Sequence, residues 1–101
     1  MRTLTLRRVV VTGLGAVTDV GHTVPDFWNA LIEGRSGIAP ISGFTPTPEW
    51  TVTFAGEVRN LKPETRIDPK LISRMDRYAV FGLCAAEEAV ADSGMDFTKG
   101  D

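Results

Sequence analysis

Gly13-Leu14-Gly15, directly after Arg8-Val9-Val10-Val11-Thr12, is the stretch of this chain that comes nearest to a phosphate-binding turn. In the dinucleotide-binding fingerprint, glycines after a strand let a pyrophosphate approach the backbone and meet a helix N-terminus. Here the third glycine is missing, position 18 is Thr, and the next helix start lies well beyond the pair. The glycines therefore read as a structural turn. Cys84 is the single thiol, and activation would need a base, a cation or a helix N-terminus beside it. It falls mid-helix, with Arg77, Val80, Phe81, Glu87 and Glu88 as wheel neighbours, and carboxylates raise a thiol pKa. Cys84 reads as a small inert side chain that fills space. His22, the sole imidazole, stands just before a helix cap and reads as part of that helix entry. One His and one distant Cys cannot assemble a metal site, so no metal and no cofactor are expected.

Lys70, Arg74 and Arg77 are spaced i, i+4, i+7 and would form one basic ridge on a continuous helix. Such a ridge is either a solvated face balanced by nearby acids or a device that steers an acidic protein. Charge placement sharpens the choice. Between Arg59 and Arg77, six basic residues face three acids, a local net of +3, whereas Glu87 to Asp101 carries −4. The whole chain is at −2 with a pI near 5.3, which argues against a dedicated nucleic-acid binder.

At 101 residues and 43% hydrophobic content, the chain can hold one domain with a modest core. A lone cysteine forms no internal disulfide. The first residues lack the apolar stretch of a signal peptide, and no run reaches membrane-spanning length. A reducing cytoplasm is the expected location, with no membrane partner.

The elements that must position these residues start with Val9-Val10-Val11, β-branched throughout, which read as a strand buried on both faces. Such a strand needs covering layers, and little in the following residues could supply both. Thr23-Val24-Pro25-Asp26 has the form of a helix cap, Val24, Phe27, Trp28 and Leu31 make an apolar stripe, and Gly34 offers a left-handed stop. A long connection with Pro40, Pro46 and Pro48 shows few signs of regular structure. Thr51-Val52-Thr53-Phe54 alternates like a half-buried strand. Asp68-Pro69 starts a second helical pattern that runs, whole or with a break, to Ser93 before Gly94. On it Met75, Tyr78, Ala79, Gly82, Leu83, Ala85, Ala86, Ala89 and Val90 share one broad arc expected to be core.

Taken in order, several of these pieces resemble one family. Arg8 to Gly15, Val20-Gly21, Phe27-Trp28-Asn29-Ala30-Leu31, Gly34-Arg35-Ser36-Gly37-Ile38, Phe54-Ala55-Gly56, Arg74-Met75-Asp76-Arg77 and Glu88-Ala89-Val90-Ala91-Asp92-Ser93-Gly94 are similar to the N-terminal portion of β-ketoacyl-[acyl-carrier-protein] synthases. The likeness is closest to the type II enzyme of bacterial fatty acid synthesis. It implies a thiolase-like layered α/β/α fold, incomplete in this chain, with residues 1–101 as the first segment of its N-terminal domain. It implies condensation of an acyl group, held as a cysteine thioester, with malonyl-acyl carrier protein decarboxylated beside two histidines. Those three catalytic residues would lie beyond Asp101; neither Cys84 nor His22 matches one. The resemblance also implies an acyl carrier protein carrying acyl or malonyl groups as partner, docked on a basic patch that includes Lys70 and Arg74. Arg77 joins that patch by geometry. Ser73 replaces a position often basic there, and Asp19 stands where the family commonly has proline. A homodimer is expected of the intact enzyme. Two other readings share these segments: a non-condensing ketosynthase-like subunit of polyketide assembly, and a stand-alone carrier-binding module.

Overall fold

A computed structural model describes residues 2–99 of the chain. Helix α1 (Val24–Glu33) begins where extended Thr23 aims its hydroxyl at the backbone N–H of Asp26, 3.3 Å away. Pro25 fits the first turn because no helical partner exists for its missing N–H. Gly34 stops the helix at φ 70°, a left-handed conformation that suits glycine. Only Ala30 is buried on α1; Val24 and Phe27 are half-buried, while Trp28 and Leu31 lie at 59% and 50% exposure.

Strands β1 (Ile38–Pro40) and β2 (Phe54–Gly56) form an antiparallel pair in the register Ile38 with Gly56, Ala39 with Ala55 and Pro40 with Phe54. Ile41 N–H extends the pairing to the carbonyl of Thr53 at 2.9 Å. The expected strand over residues 51–54 is therefore displaced toward Gly56. Its partner lies inside the connection expected to be irregular, where Pro40 is admissible because a two-stranded ribbon has only edges.

After a 3-10 turn at Pro63–Thr65, Asp68 caps α2 (Pro69–Ile72) by accepting from Lys70 N–H at 3.0 Å. The second helical pattern breaks over residues 73–76 and resumes as α3 (Arg77–Ser93), which ends on Gly94 at φ 69°. A last 3-10 turn spans Phe97–Lys99.

The valine-rich segment is not a buried strand. Residues 2–17 run without a ladder partner among the described residues, and Val9 and Val11 are 87% and 77% exposed. Strand status comes from pairing, and β-branched propensity without a neighbour does not produce it. The segment instead leans on α3. A Cβ on Gly13 would sit 2.1 Å from the Ala89 carbonyl oxygen, and one on Gly15 would sit 1.8 Å from that of Ala85. Alongside, Leu14 N–H donates to Asp92 Oδ2 and Ala16 N–H to Glu88 Oε1, both at 3.0 Å. Two residues of extended chain advance about 6.6 Å and four of helix about 6 Å, so alternate amides meet carboxylates one turn apart. Glu88 also accepts from Val24 N–H through Oε2 at 2.9 Å, joining the extended segment, α3 and the first turn of α1.

Ile67, Val80 and Cys84 form the core cluster, with Val17, Leu61, Ile72 and Met75 packed around it. This turns α3 away from the expected orientation. Val80 and Cys84 face inward, whereas Tyr78, Gly82, Leu83, Ala86 and Val90 of the expected core arc are exposed. The chain's own elements approach α3 from one side, and the helix buries what that side touches. The Cα radius of gyration is 18.5 Å, against about 13 Å for a compact domain of this length.

Candidate partner-docking site

The three cations of the expected ridge do not share a helical face. Lys70 lies in α2, Arg74 in the break and Arg77 at the first position of α3. The break is built from tightened turns: Arg74 N–H donates to the Leu71 carbonyl and Met75 N–H to that of Ile72, at 3.1 and 3.2 Å. Asp76 is extended, with φ −70° and ψ 160°, and its carbonyl opens α3 by accepting from Ala79 and Val80 N–H. Ser73 turns its hydroxyl to the Lys70 carbonyl at 3.0 Å. The expectation of one ridge is corrected to a bent basic surface, because the i, i+4, i+7 rule holds only along an unbroken helix.

Within that surface the cations differ in state. Lys62, Lys70 and Arg74 are exposed, and their side chains make no hydrogen bond or ion pair among the described residues. Arg77 is held. Its Nη2 donates to the Val58 carbonyl at 2.5 Å, and its guanidinium lies 5.1 Å from the ring centroid of Phe81. Arg59 is likewise engaged, donating to the carbonyls of Gly37 and Pro40 and pairing with Glu57 at 3.0 Å. Local charge therefore overstates what a partner can reach.

Beneath the α2–α3 elbow is an apolar crevice of about 210 Å³ lined by Leu61, Pro63, Ile72, Met75, Val80 and Phe81, with Arg77 at its edge. Sequence reading missed it. The only signal was the apolar identity of positions 61, 72 and 75, which helical periodicity across an unbroken helix scatters over different faces.

The remaining candidates resolve as structural parts. Cys84 is fully buried. Burial pushes its thiol pKa up, outweighing the Arg66 guanidinium that pulls it down. A thiol in that state is a poor nucleophile. Arg66 Nη2 donates to the His22 carbonyl at 2.6 Å, so His22 serves the helix entry through its backbone. Gly13 and Gly15 admit the backbone of α3, and Gly21 admits that of α1, since a Cβ there would sit 2.4 Å from Phe27 N. Asp19 carries its carboxylate against Gly37 and Gly56, where a Cβ on either would come within 2.4 Å of Oδ2.

An open cleft of about 640 Å³ borders Asp19, His22, Asp26, Glu33, Arg35 and Arg59. No group of three or more potential metal ligands occurs among the described residues. Nor is any helix among them long and apolar enough to cross a membrane.

Residues 6–101 match the family described as beta-ketoacyl synthase, N-terminal domain, and the chain belongs to that family. It is 43% identical over 93 residues to 3-oxoacyl-[acyl-carrier-protein] synthase 2 of Synechocystis sp., covering 92% of this chain and 22% of that protein. It is 40% identical over 89 residues to the chloroplastic 3-oxoacyl-[acyl-carrier-protein] synthase II of Arabidopsis thaliana, covering 88% and 16%. Among solved structures, the ishigamide ketosynthase/chain length factor matches with a TM-score of 0.79 at 34% identity, over 89% of this chain and 22% of that one. The chain thus spans about a fifth of the length of the curated relatives it matches.

Proposed function

We propose that this chain works as part of a β-ketoacyl-acyl carrier protein synthase, an acyltransferase that lengthens an acyl thioester by decarboxylating Claisen condensation in fatty acid biosynthesis. The match of residues 6–101 to the synthase N-terminal domain, with relatives named for that activity at 38–43% identity, carries the reading. The chemistry needs a thiolate nucleophile and groups that stabilise developing negative charge. Nothing among the described residues supplies them: Cys84 is buried with its thiol pKa raised, and His22 stands alone. Residues 1–101 act here as the opening segment of a thiolase-like layered α/β/α domain, whose remaining layers cover Val9 to Val11 and the outer face of α3. The enzyme is cytoplasmic and homodimeric.

Its carrier partner docks on Lys70, Arg74 and Arg77. Lys70 and Arg74 offer unpaired charge to an acidic helix, and Arg77 adds its charge while held by Val58 and Phe81. Charge at such a rim acts chiefly on the rate of encounter.

The test is a condensation assay with malonyl-acyl carrier protein. The full-length protein is expected to form β-ketoacyl product and the 101-residue chain none; turnover by the chain alone would refute the division of labour. A second reading, a non-condensing subunit, is favoured by the likeness to a ketosynthase/chain length factor. It requires the full-length protein, assayed alone, to be inactive.

A further inference from the structure

We infer that Arg77 is a strap with two seats: at rest it ties the first turn of α3 to the base of the β1–β2 ribbon, and an acidic partner that takes its guanidinium slackens the ribbon. The inference rests on the carrier-docking reading above and goes beyond it, because docking concerns what Arg77 attracts and the strap concerns what its withdrawal releases.

Residues 57–59 are one short stretch with three grips. Glu57, the residue after β2, accepts from the N–H groups of Ser42 and Gly43 at 2.8 and 2.9 Å. Arg59 donates from Nη1 to the Gly37 carbonyl at 3.1 Å, just before β1, and from Nη2 to that of Pro40 at 3.3 Å, where β1 ends. Between these two residues the Val58 carbonyl accepts from Arg77 Nη2 at 2.5 Å, so the stretch that closes the ribbon is itself fastened to α3. Two strands of three residues are marginal alone, and the ties at their base decide whether they stay paired. Both groups that hold Arg77 are neutral: a carbonyl and the Phe81 ring, whose centroid lies 5.1 Å from the guanidinium. A carboxylate is the stronger acceptor for a guanidinium and pairs with two of its N–H groups at once, so one that engages Nη2 draws it from Val58. Arg77 is exposed, and such a carboxylate reaches it from solvent. Lys70 and Arg74 are exposed with no side-chain partner among the described residues, so engaging them alone leaves the ribbon as it is.

Amide exchange of Ile41, whose N–H donates to the Thr53 carbonyl at 2.9 Å, reports the state of the ribbon. The experiment follows it in the full-length protein with a stapled helical peptide rich in glutamate, and with a counterpart in which every glutamate is glutamine. Saturating glutamate peptide is expected to quicken Ile41 exchange about fivefold, the factor set by one net hydrogen bond, and the glutamine peptide to leave it unchanged. Arg77→Ala should exchange as quickly without any peptide, and gain nothing further when the glutamate peptide binds it through Lys70 and Arg74. Binding of the glutamate peptide with no change in Ile41 exchange overturns the strap and leaves charge-steered docking standing. That outcome is read on the unaltered protein, so it decides even if Arg77→Ala fails to fold. If the glutamate peptide does not bind, the docking reading falls and the strap falls with it.

Discussion

Glu88 carries more of the local architecture than any residue whose type first drew attention. Its two oxygens accept from Ala16 and Val24, which lie on separate elements. A hydrogen bond to a charged group contributes about 1.5–3 kcal/mol, so Glu88→Ala in the full-length protein should lower unfolding free energy by at least that much. Glu88→Gln, which keeps one acceptor, should cost less; no measurable loss for Glu88→Ala in denaturant titrations would show that the charge and both bonds are unimportant. Gly15 makes the complementary case, since a methyl group would sit 1.8 Å from the Ala85 carbonyl oxygen. Gly15→Ala should cost about 3 kcal/mol or more, the range of overpacking against backbone. Glu57 gives a pH effect. The backbone N–H of Ser42 above all, helped by that of Gly43, the Ser42 hydroxyl and Arg59, holds its carboxyl below the usual carboxylate range, against burial, which opposes more strongly than any of those helpers taken singly. A depressed folded value means the stabilisation is complete above the unfolded value and disappears as pH falls through the folded one. Amide exchange at Ser42 and Gly43 should therefore quicken on acidification, and Glu57→Gln should flatten that dependence. For the docking charges, Lys70→Glu with Arg74→Glu should slow turnover of carrier-bound substrate more than that of small thioesters; equal slowing would remove their steering role.

Among the elements, α3 is where sequence pattern and packing part company. Of the arc expected to be core, Met75, Ala79, Ala85 and Ala89 are half-buried while Tyr78, Gly82, Leu83, Ala86 and Val90 are exposed, and it is Val80 and Cys84 that are buried. A wheel ranks faces by composition, and α3 is apolar enough all round for two faces to qualify. Which one is buried depends on where the extended segment and the residues around Ile67 approach. Gly82 tests the arrangement, because a Cβ there meets nothing within 4 Å. In the isolated chain, Gly82→Ala should raise helix content by circular dichroism, as removing a helix-interior glycine is worth about 0.5–1 kcal/mol. In the full-length protein the same change should destabilise if a covering layer presses on that face. The break before α3, which the helical pattern left open, is the other point that packing decides. Asp68-Pro69 and Gly94 mark the outer ends of the helical pattern correctly, but no proline or glycine marks residues 73–76. The turn there follows from seating Ile72 and Met75 against the Ile67, Val80 and Cys84 cluster.

As a whole, the molecule is open. Leu4, Leu6, Val9, Val10 and Val11 are all more than 60% exposed, and the radius of gyration exceeds that of a compact domain by nearly half. Such apolar surface on a soluble protein marks contact with another body. The isolated chain is expected to unfold in urea without a sharp transition and to bind a hydrophobic dye; a cooperative transition with no dye binding would show that it shelters its own apolar faces. Family membership, the caps at Thr23 and Asp68, the stops at Gly34 and Gly94 and the inert character of Cys84 were legible in the residues, because each depends on local geometry or on an ordered set of short segments. The pairing of β1 with β2, the elbow between α2 and α3, the crevice beneath it and the double hydrogen bond of Glu88 were decided by the tertiary structure alone. They join residues far apart in the chain, and no local pattern encodes which of several apolar faces, or which of several amides, a distant segment will reach first.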